Sequence, residues 1–376
     1  MKELGVGIIG YGFIGRMHAY CYKTIPLIYR NAPRARIVGV ATAHETSARA
    51  AADEIGCGFH TADWRDLIAR DDVHAVSICS PNASHKEQVI AALRAGKHVY
   101  CDKPLTVTYR DALEIADAAR EAKGVVHQMT FQTRFFPATL RAKELIDAGA
   151  IGSVYHFRAA YLHAGYVDPK RPFIWRMDKG QGGGALVDLG SHVIDLMRHL
   201  LGEFDSVSAI MQTFVPERPD RDDPSRMRRV EVDDLALLTV RMAGGFPGVI
   251  EASRFAMGAN DELRFEIHGE KGALAFNLME PNWINFFDNR DPGGHYGGSK
   301  GFKRIESCQR FPDLLLPTEK NSIGWREGHR ECLRNFLQCV AEGRPASPDL
   351  FDGAAVQQVM DAAYRSAQEG RWAKIK

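Results

Sequence analysis

Along the first third of the chain, short apolar runs alternate with stretches whose apolar residues recur every three to four positions. Val6 to Ile9, Ile37 to Ala41, Ala75 to Ser80, Lys97 to Cys101 and Val125 to Thr130 are the runs. At four to six residues each, they predict strands buried on both faces. Phe13 to Tyr22, Glu45 to Ile55, Trp64 to Ala69, Ala83 to Ala95 and a stretch from Thr108 to about Lys123 carry helical spacing. Gly56 and Gly96 close two of these helices, Asp63 is placed to cap a third, and Thr108 with Asp111 forms a capping-box-like start. Such alternation predicts βαβ units and a parallel sheet covered on both faces, a doubly wound domain.

After residue 150 the texture changes. Val154 to Leu162, Val207 to Phe214, Val232 to Met242, Phe246 to Arg254, Glu262 to His268 and Ala273 to Asn277 read as strands, several joined by glycine-marked turns. One long helix, Leu186 to Leu201, interrupts them, and two more, about Trp325 to Ala341 and Asp352 to Glu369, close the chain. The expected class is α/β in the first part and α+β with a large, mostly antiparallel sheet in the second. The division is expected at 1–125 and 126–376, with the closing helices of 325–370 in the second domain. Pro216 to Glu231 mixes both charge signs and reads as a solvated loop. Pro292 to Gly301 is glycine-rich and reads as a mobile surface loop, with a lid or an intersubunit arm as the alternatives.

Composition narrows the function more by exclusion than by suggestion. Hydrophobic residues at 45% and charged residues at 25% describe a globular chain and not a disordered one. Against 47 Asp and Glu stand 48 Lys and Arg, a formal charge of +1, which leaves no electrostatic footprint for nucleic acid or an anionic membrane. No apolar run approaches the ~18–20 residues of a membrane span. The start, Met1 to Gly5, runs directly into a strand without a signal-peptide core. Seven cysteines without a C-x-x-C pair point to reduced thiols in the cytoplasm, with neither a disulfide framework nor a metal site.

Chemistry enters at the first turn. Gly10-Tyr11-Gly12-Phe13-Ile14-Gly15 is G-x-G-x-x-G, directly after a predicted strand and opening a predicted helix, the context in which that spacing binds a dinucleotide. Gly10 permits the tight turn, Gly12 the approach of the diphosphate, and Gly15 close helix–strand packing. At the end of the second strand, where an acid would hold the ribose hydroxyls of NAD, stands Thr42-Ala43-His44, with neither acid nor Arg. NAD is the expectation, and NADP stays open.

Three further groups fall beyond the carboxyl ends of predicted strands or at the entrance of a helix. Ser80-Pro81-Asn82-Ala83-Ser84-His85 leaves the third main strand, with Asn82 placed either to cap the next helix or to meet the cofactor. Cys101-Asp102-Lys103-Pro104 ends the next strand, and the proline holds Lys103 extended, presenting an amine able to stabilise an alkoxide. Gly182 to Asp195 places Asp188 and His192 four apart on one helix face, a carboxylate able to orient an imidazole for acid–base work.

G-x-G-x-x-G, P-N-x-x-H, A-G-K-H-V-x-x-D-K-P and G-G-G-x-L-x-D-x-G-x-H-x-x-D, in that order over essentially the whole chain, resemble the Gfo/Idh/MocA oxidoreductases. The resemblance implies a Rossmann-type first domain and a second domain whose sheet has an open face. It implies Lys103, Asp188 and His192 as the catalytic set. Gly10, Gly12, Phe13, Ile14, Gly15, Thr42, Ser80, Pro81, Asn82, His85, Asp102, Lys103, Trp175 and Arg176 would surround the cofactor. Asp102 departs from the usual Glu, shortening the acid by a methylene. Thr61 to Arg65, Trp175-Arg176, Thr213 to Pro219 and Phe265 to Gly269 are similar to a narrower branch, the levoglucosan-dehydrogenase-like sugar dehydrogenases.

The expected reaction is reversible hydride transfer between a secondary alcohol of a sugar, anhydrosugar or polyol and a nicotinamide cofactor. His192 is the expected base, with Asp188 orienting it and Lys103 on the alkoxide; Lys103 as base is the alternative. Arg134, Tyr161, His163 and Arg176 are further candidate contacts to a polyhydroxyl ligand, because every buried hydroxyl needs a partner. Amine and imidazole are expected to converge on one alcohol. The rivals are a lyase, glycosidase or epimerase that keeps its cofactor and works through a transient ketone, and a non-catalytic sensor of dinucleotide or sugar. The resemblance also implies a homodimer or homotetramer formed through the open sheet face.

Overall fold

The computed structural model describes residues 3–375. The outermost positions of the two expected domains, 1, 2 and 376, lie outside the described residues, and with them the first two residues of the start read for a targeting segment.

The chain forms two compact units. The first takes the chain up to Phe135 together with Phe311–Glu319 and Gly324–Gln357. Its elements are β1 (Leu4–Ile9), α1 (Phe13–Ile28), β2 (Ala35–Ala41), α2 (Glu45–Ile55), β3 (Phe59–Thr61), α3 (Trp64–Ile68), β4 (Ala75–Ile78), α4 (His85–Arg94), β5 (His98–Cys101), α5 (Tyr109–Glu121) and β6 (His127–Met129). All strands are parallel, in the order β3-β2-β1-β4-β5-β6. The order therefore reverses between β1 and β4, the place where an open α/β sheet binds its ligand. Local chemistry accounts for the element ends. Gly56 closes α2 at φ 75°, Asp63 accepts the N–H of Arg65 at the start of α3, and Thr108 accepts that of Asp111 at the start of α5. Helix α1 runs six residues beyond its expected end, through Pro26, because Ile25 and Ile28 continue its buried face. Asn82 does not cap α4. It is buried in a 3-10 turn, Asn82–Ser84, and the cap position belongs to Ser84.

The second unit takes Phe136–Arg310, Lys320–Ile323 and the chain from Gln358. It begins with α6 (Pro137–Asp147) and β7 (Val154–Leu162), and α7 (Ser191–Leu201) follows a long loop. Then come β8 (Phe204–Gln212), β9 (Glu217–Pro219), β10 (Met227–Arg229), β11 (Leu235–Met242), β12 (Pro247–Ser253), β13 (Glu262–Gly269), β14 (Gly272–Asn277), β15 (Trp283–Asp288), β16 (Lys303–Glu306) and, near the end, β17 (Ala373–Lys374). Nine of these strands form one sheet in the order β16-β15-β14-β13-β7-β12-β11-β8-β17, antiparallel throughout except for β7 beside β12. Alternation along β11 buries Ala236, Leu238, Val240 and Met242 and leaves Leu237 and Arg241 outside. The stretch Pro216 to Glu231 is not loop alone. It contains the hairpin β9–β10, pinned by the fully buried Arg218, which donates to the carbonyls of Asp168 (2.8 Å) and Tyr166 (2.6 Å).

Two helices close the chain, α8 (Trp325–Glu342) and α9 (Leu350–Glu369). Packing divides the molecule differently from the boundary expected at 125/126. Cys332, Leu333, Phe336 and Leu337 of α8 join the core of the first unit with Met17, Cys21, Tyr22 and Ile25 of α1, and α9 starts in the first unit and ends in the second. Among the described residues no helix is long and apolar enough to cross a membrane.

Candidate active site

In the first unit the glycine turn is shaped by what surrounds it. Gly10 has φ +89°, and a Cβ there would lie 2.7 Å from the backbone of Cys79 and Ser80. No other residue fits. Gly15 is equally constrained, since a Cβ would lie 2.2 Å from the Gly10 carbonyl. Gly12 differs: nothing lies within 4 Å of a Cβ built on it. It stands at the N-cap of the 16-residue α1, with no capping side chain and no acid in the first turn. Open space in front of uncapped N–H groups at the positive end of a helix suits a diphosphate, so the turn fits a dinucleotide. Beyond β2, Thr42 Oγ1 pairs with Ser47 Oγ (2.6 Å) and bonds the His44 carbonyl (3.1 Å), and Glu45 pairs with His60 (3.0 Å).

Ser80 donates to Gln88 at 2.6 Å. His85, expected at the cofactor, has a different role. It is fully buried, and its ring nitrogens lie 3.0 Å from the Pro104 carbonyl and 2.9 Å from that of Ser80. The imidazole thus braces the turn after β4 against the one carrying Asp102, Lys103 and Pro104 after β5. The Asp102 N–H bonds the Ile78 carbonyl (2.9 Å), and the Lys103–Pro104 peptide is cis. Arg134, expected at the substrate, is 5% exposed, with Ser347 at 3.3 Å and Asp352 at 3.5 Å, which makes it a strut within the unit.

In the second unit the motif segment does not begin as an ordinary helix. Leu186–Gly190 is a π-turn that continues into α7, an irregularity that often marks functional positions. Its entrance is held by Asp233, whose carboxylate takes the Leu186 N–H (2.7 Å) and the Tyr364 hydroxyl (2.8 Å). Burial raises the Asp233 pKa above the usual carboxylate range despite those two donors.

Around this segment lies a charged wall that sequence only half anticipates. Asp188 pairs with Arg254 and, at 3.4 Å, with Arg176, whose guanidinium also lies over the Trp175 ring. His192, 4% exposed, is edge-on to Tyr161, with ring centroids 5.6 Å apart. Tyr161 donates to Asp261 at 2.6 Å, and His163 lies 3.3 Å from the same carboxylate. Burial pushes the Asp261 carboxyl up, but bonds from His163 and Tyr161 and the charges of His163 and Arg254 outweigh it and leave the group below its usual range. For Tyr161, burial and then the Asp261 charge raise the phenol well above its usual value. Tyr161, His163, Arg176, Asp188 and His192 are therefore one neighbourhood, together with Arg254, Asp261 and Asp233, which sequence reasoning missed. Their signal is topological. His163, Arg254 and Asp261 stand at the same end of neighbouring strands β7, β12 and β13, where Leu162 pairs with both Ser253 and Glu262.

Residues 4–130 match the model of the oxidoreductase family's NAD-binding Rossmann fold, and residues 143–375 match that of its C-terminal alpha/beta domain. Levoglucosan dehydrogenase of Pseudarthrobacter phenanthrenivorans is 36% identical over 100% of this chain and 99% of its own. A solved structure of levoglucosan dehydrogenase, in complex with NADH and levoglucosan, is 36% identical, covers 100% of both chains and has a TM-score of 0.93. Myo-inositol 2-dehydrogenase of Thermotoga maritima is 27% identical over 99% of this chain and 98% of its own. With a glycine cradle open to a dinucleotide in one unit, an acid–imidazole motif in the other and both halves matched end to end, this chain belongs to the Gfo/Idh/MocA family of NAD-binding oxidoreductases, related to levoglucosan and inositol dehydrogenases.

Proposed function

We propose that the protein is a dehydrogenase that reversibly oxidises a secondary hydroxyl of a sugar, anhydrosugar or polyol with NAD. The observation that carries this reading is the wall of the second unit. His192 is buried beside Tyr161, Asp188 is paired with Arg254 and Arg176, and Asp261 accepts from Tyr161 and lies 3.3 Å from His163. Such a wall offers many donors and acceptors but no large uncompensated charge, which suits a neutral polyhydroxyl ligand.

When bound, the nicotinamide supplies the hydride acceptor. The turn from Gly10 to Gly15 would hold its diphosphate, with Phe13, Ile14, Thr42, Ser80, Pro81, Asn82, Asp102, Trp175 and Arg176 as further contacts. His192 removes the hydroxyl proton, Asp188 orients His192 and bonds a neighbouring hydroxyl, and Lys103 stabilises the developing alkoxide. Tyr161, His163 and Arg176 hold the remaining hydroxyls. NAD is preferred to NADP in this reading because no Arg stands immediately after β2 to attract a 2′-phosphate, and Thr42 and Ser47 offer hydroxyls there. We further propose a homodimer or homotetramer through the outer sheet face, where Ile210 on β8 pairs with Leu237 on β11 and both are exposed.

The test is a screen of pyranoses, inositols and anhydrosugars with NAD and NADP separately, following reduced nicotinamide. Reduction of NAD by one of these classes is expected. Conversion of a sugar without net reduced nicotinamide would replace the reading with a cofactor-retaining lyase, glycosidase or epimerase. Binding of dinucleotide without any conversion would leave a sensor.

A further inference from the structure

Helix α8 carries a histidine that the proposed reaction does not use. His329 is 3% exposed, and both its ring nitrogens are buried without a hydrogen-bond partner. One turn earlier lies Trp325, whose ring centroid is 4.3 Å from that of His329. Trp325 in turn packs 5.5 Å from Phe13, the first residue of α1 and a member of the glycine turn. On α1, His18 is also buried: its Nδ1 lies 3.1 Å from Cys79 Sγ, its ring 4.8 Å from Tyr100, and its Nε2 has no partner. Burial first, and then the neighbouring His18 and Lys103, hold His329 well below the usual imidazole range.

Three orphaned nitrogens therefore gather within the first unit, beside the turns that follow β1, β4 and β5. A buried polar atom without a partner is rare in a folded protein and signals a missing one. Two facts narrow the missing group. A neutral imidazole offers one N–H donor and one lone-pair acceptor at opposite edges of the ring, and the N–H of a primary carboxamide can meet the acceptor. The neighbours, moreover, are the glycine turn and the motif lysine, the place where the redox end of a dinucleotide would lie.

We propose that His329 binds the carboxamide of the nicotinamide and so fixes which face of the ring is presented, with His18 as the buried support behind it. The inference rests on the NAD-dependent reading above and adds to it a residue outside the family motifs quoted for the site.

The test measures binding, not turnover. Affinities for NAD, for its 3-acetylpyridine analogue, which keeps the carbonyl but lacks the amide N–H, and for ADP-ribose, which lacks the ring, are measured by calorimetry on the full chain and on His329→Phe. The wild type is expected to prefer NAD over the acetylpyridine analogue by about tenfold, equivalent to ~1.4 kcal/mol. His329→Phe should abolish that preference and leave ADP-ribose unchanged. A preference that survives the substitution, or a loss shared equally by ADP-ribose, overturns the proposal. Should His329→Phe fail to fold, nitrogen-15 spectra of histidine-labelled wild type decide. NAD but not ADP-ribose should shift a non-titrating imidazole, and no such difference overturns the assignment. A wild type that binds none of the three ligands defeats the NAD-dependent reading and this inference with it. Binding of all three without discrimination defeats this inference alone.

Discussion

The two units meet opposite electrostatic demands. In the first, apart from Asp102 and Lys103, the candidate ligand site is made of neutral groups: backbone N–H at the head of α1, glycines, and the imidazoles of His18 and His329 held uncharged by burial. In the second, the site is a lattice of charges, Asp188 against two guanidiniums, with Asp261 bonded by Tyr161 beside His163. The contrast follows from the ligands proposed for them. A dinucleotide brings its own charge, which helix dipoles and amides can match without buried ions. A neutral polyol brings none, so the protein must supply the field that moves its proton, and it keeps that field affordable by pairing every ion. A mostly neutral scaffold thus serves a charged ligand, and a charged scaffold a neutral one.

The largest effect is expected where the proton moves. His192→Ala and Lys103→Ala should each lower kcat by about a thousandfold, in the range that acid–base and electrostatic groups contribute, while NADH affinity changes far less. Substituting His192 should also flatten the alkaline rise of the pH–rate profile. Turnover retained in either variant, or an unchanged profile in the His192 variant, would break the assignment of the chemistry to these residues.

Next comes the charge lattice itself. Arg254→Met removes one of the two guanidiniums on Asp188 in a setting where both partners are about one-sixth exposed or less. A partly buried ion left short of a partner costs ~2–3 kcal/mol, so kcat/KM should fall about thirtyfold to 150-fold. Because Arg254 is not among the proposed cofactor contacts, NADH affinity should stay within twofold. Equal losses in both measurements would mean that the two sites are not separable in the way the comparison claims.

These residues also mark where the sequence is legible. Buried parallel strands are continuous apolar runs, so β1, β2, β4 and β5 stand out, and α2 ends at Gly56 as its glycine announces. Strand β3 does not stand out, since Phe59-His60-Thr61 offers neither a run nor an alternation. The placement of α8 was hidden for another reason: its apolar stripe is visible, but a stripe does not say which core it joins. In the site, Asp188 and His192 share a local motif and could be read from it. Arg254 and Asp261 could not, because they reach the site through the pairing of β12 and β13 with β7, about 90 to 100 residues earlier, one parallel and one antiparallel, which leaves no local signature. The same holds for Arg134 and His85, polar residues whose exposure in a site or burial in a brace depends on neighbours far along the chain.

A smaller effect separates architecture from ligand within the glycine turn. Gly10→Ala must either distort φ +89° or push a methyl into the backbone of Cys79 and Ser80, and should cost ~2 kcal/mol of unfolding free energy in denaturant titrations. Gly12→Ala meets nothing, and an Ala at an N-cap costs no more than ~1 kcal/mol. It should nonetheless weaken NADH about tenfold by occupying the space in front of the helix. If Gly12→Ala binds NADH normally, the open volume beside it is not the diphosphate site.

The smallest effect tests the neutrality of the first unit through acid. Burial lowers the His18 pKa from 6.5 to about 3. The folded protein therefore stays deprotonated at this site while the unfolded chain takes up a proton as pH falls below 6.5. Unfolded protein then binds more protons than folded, and stability drops as pH drops, with a limiting slope of ~1.4 kcal/mol per pH unit for one histidine. That contribution is complete above pH 6.5 and is lost progressively toward pH 3. His18→Gln, which keeps a polar atom toward Cys79 but cannot titrate, should remove ~1 kcal/mol of the decline between pH 6.5 and 5.5 in equilibrium unfolding. An unchanged pH dependence in His18→Gln would mean that this imidazole titrates alike in both states, and that the first unit keeps its neutrality by some means other than burial.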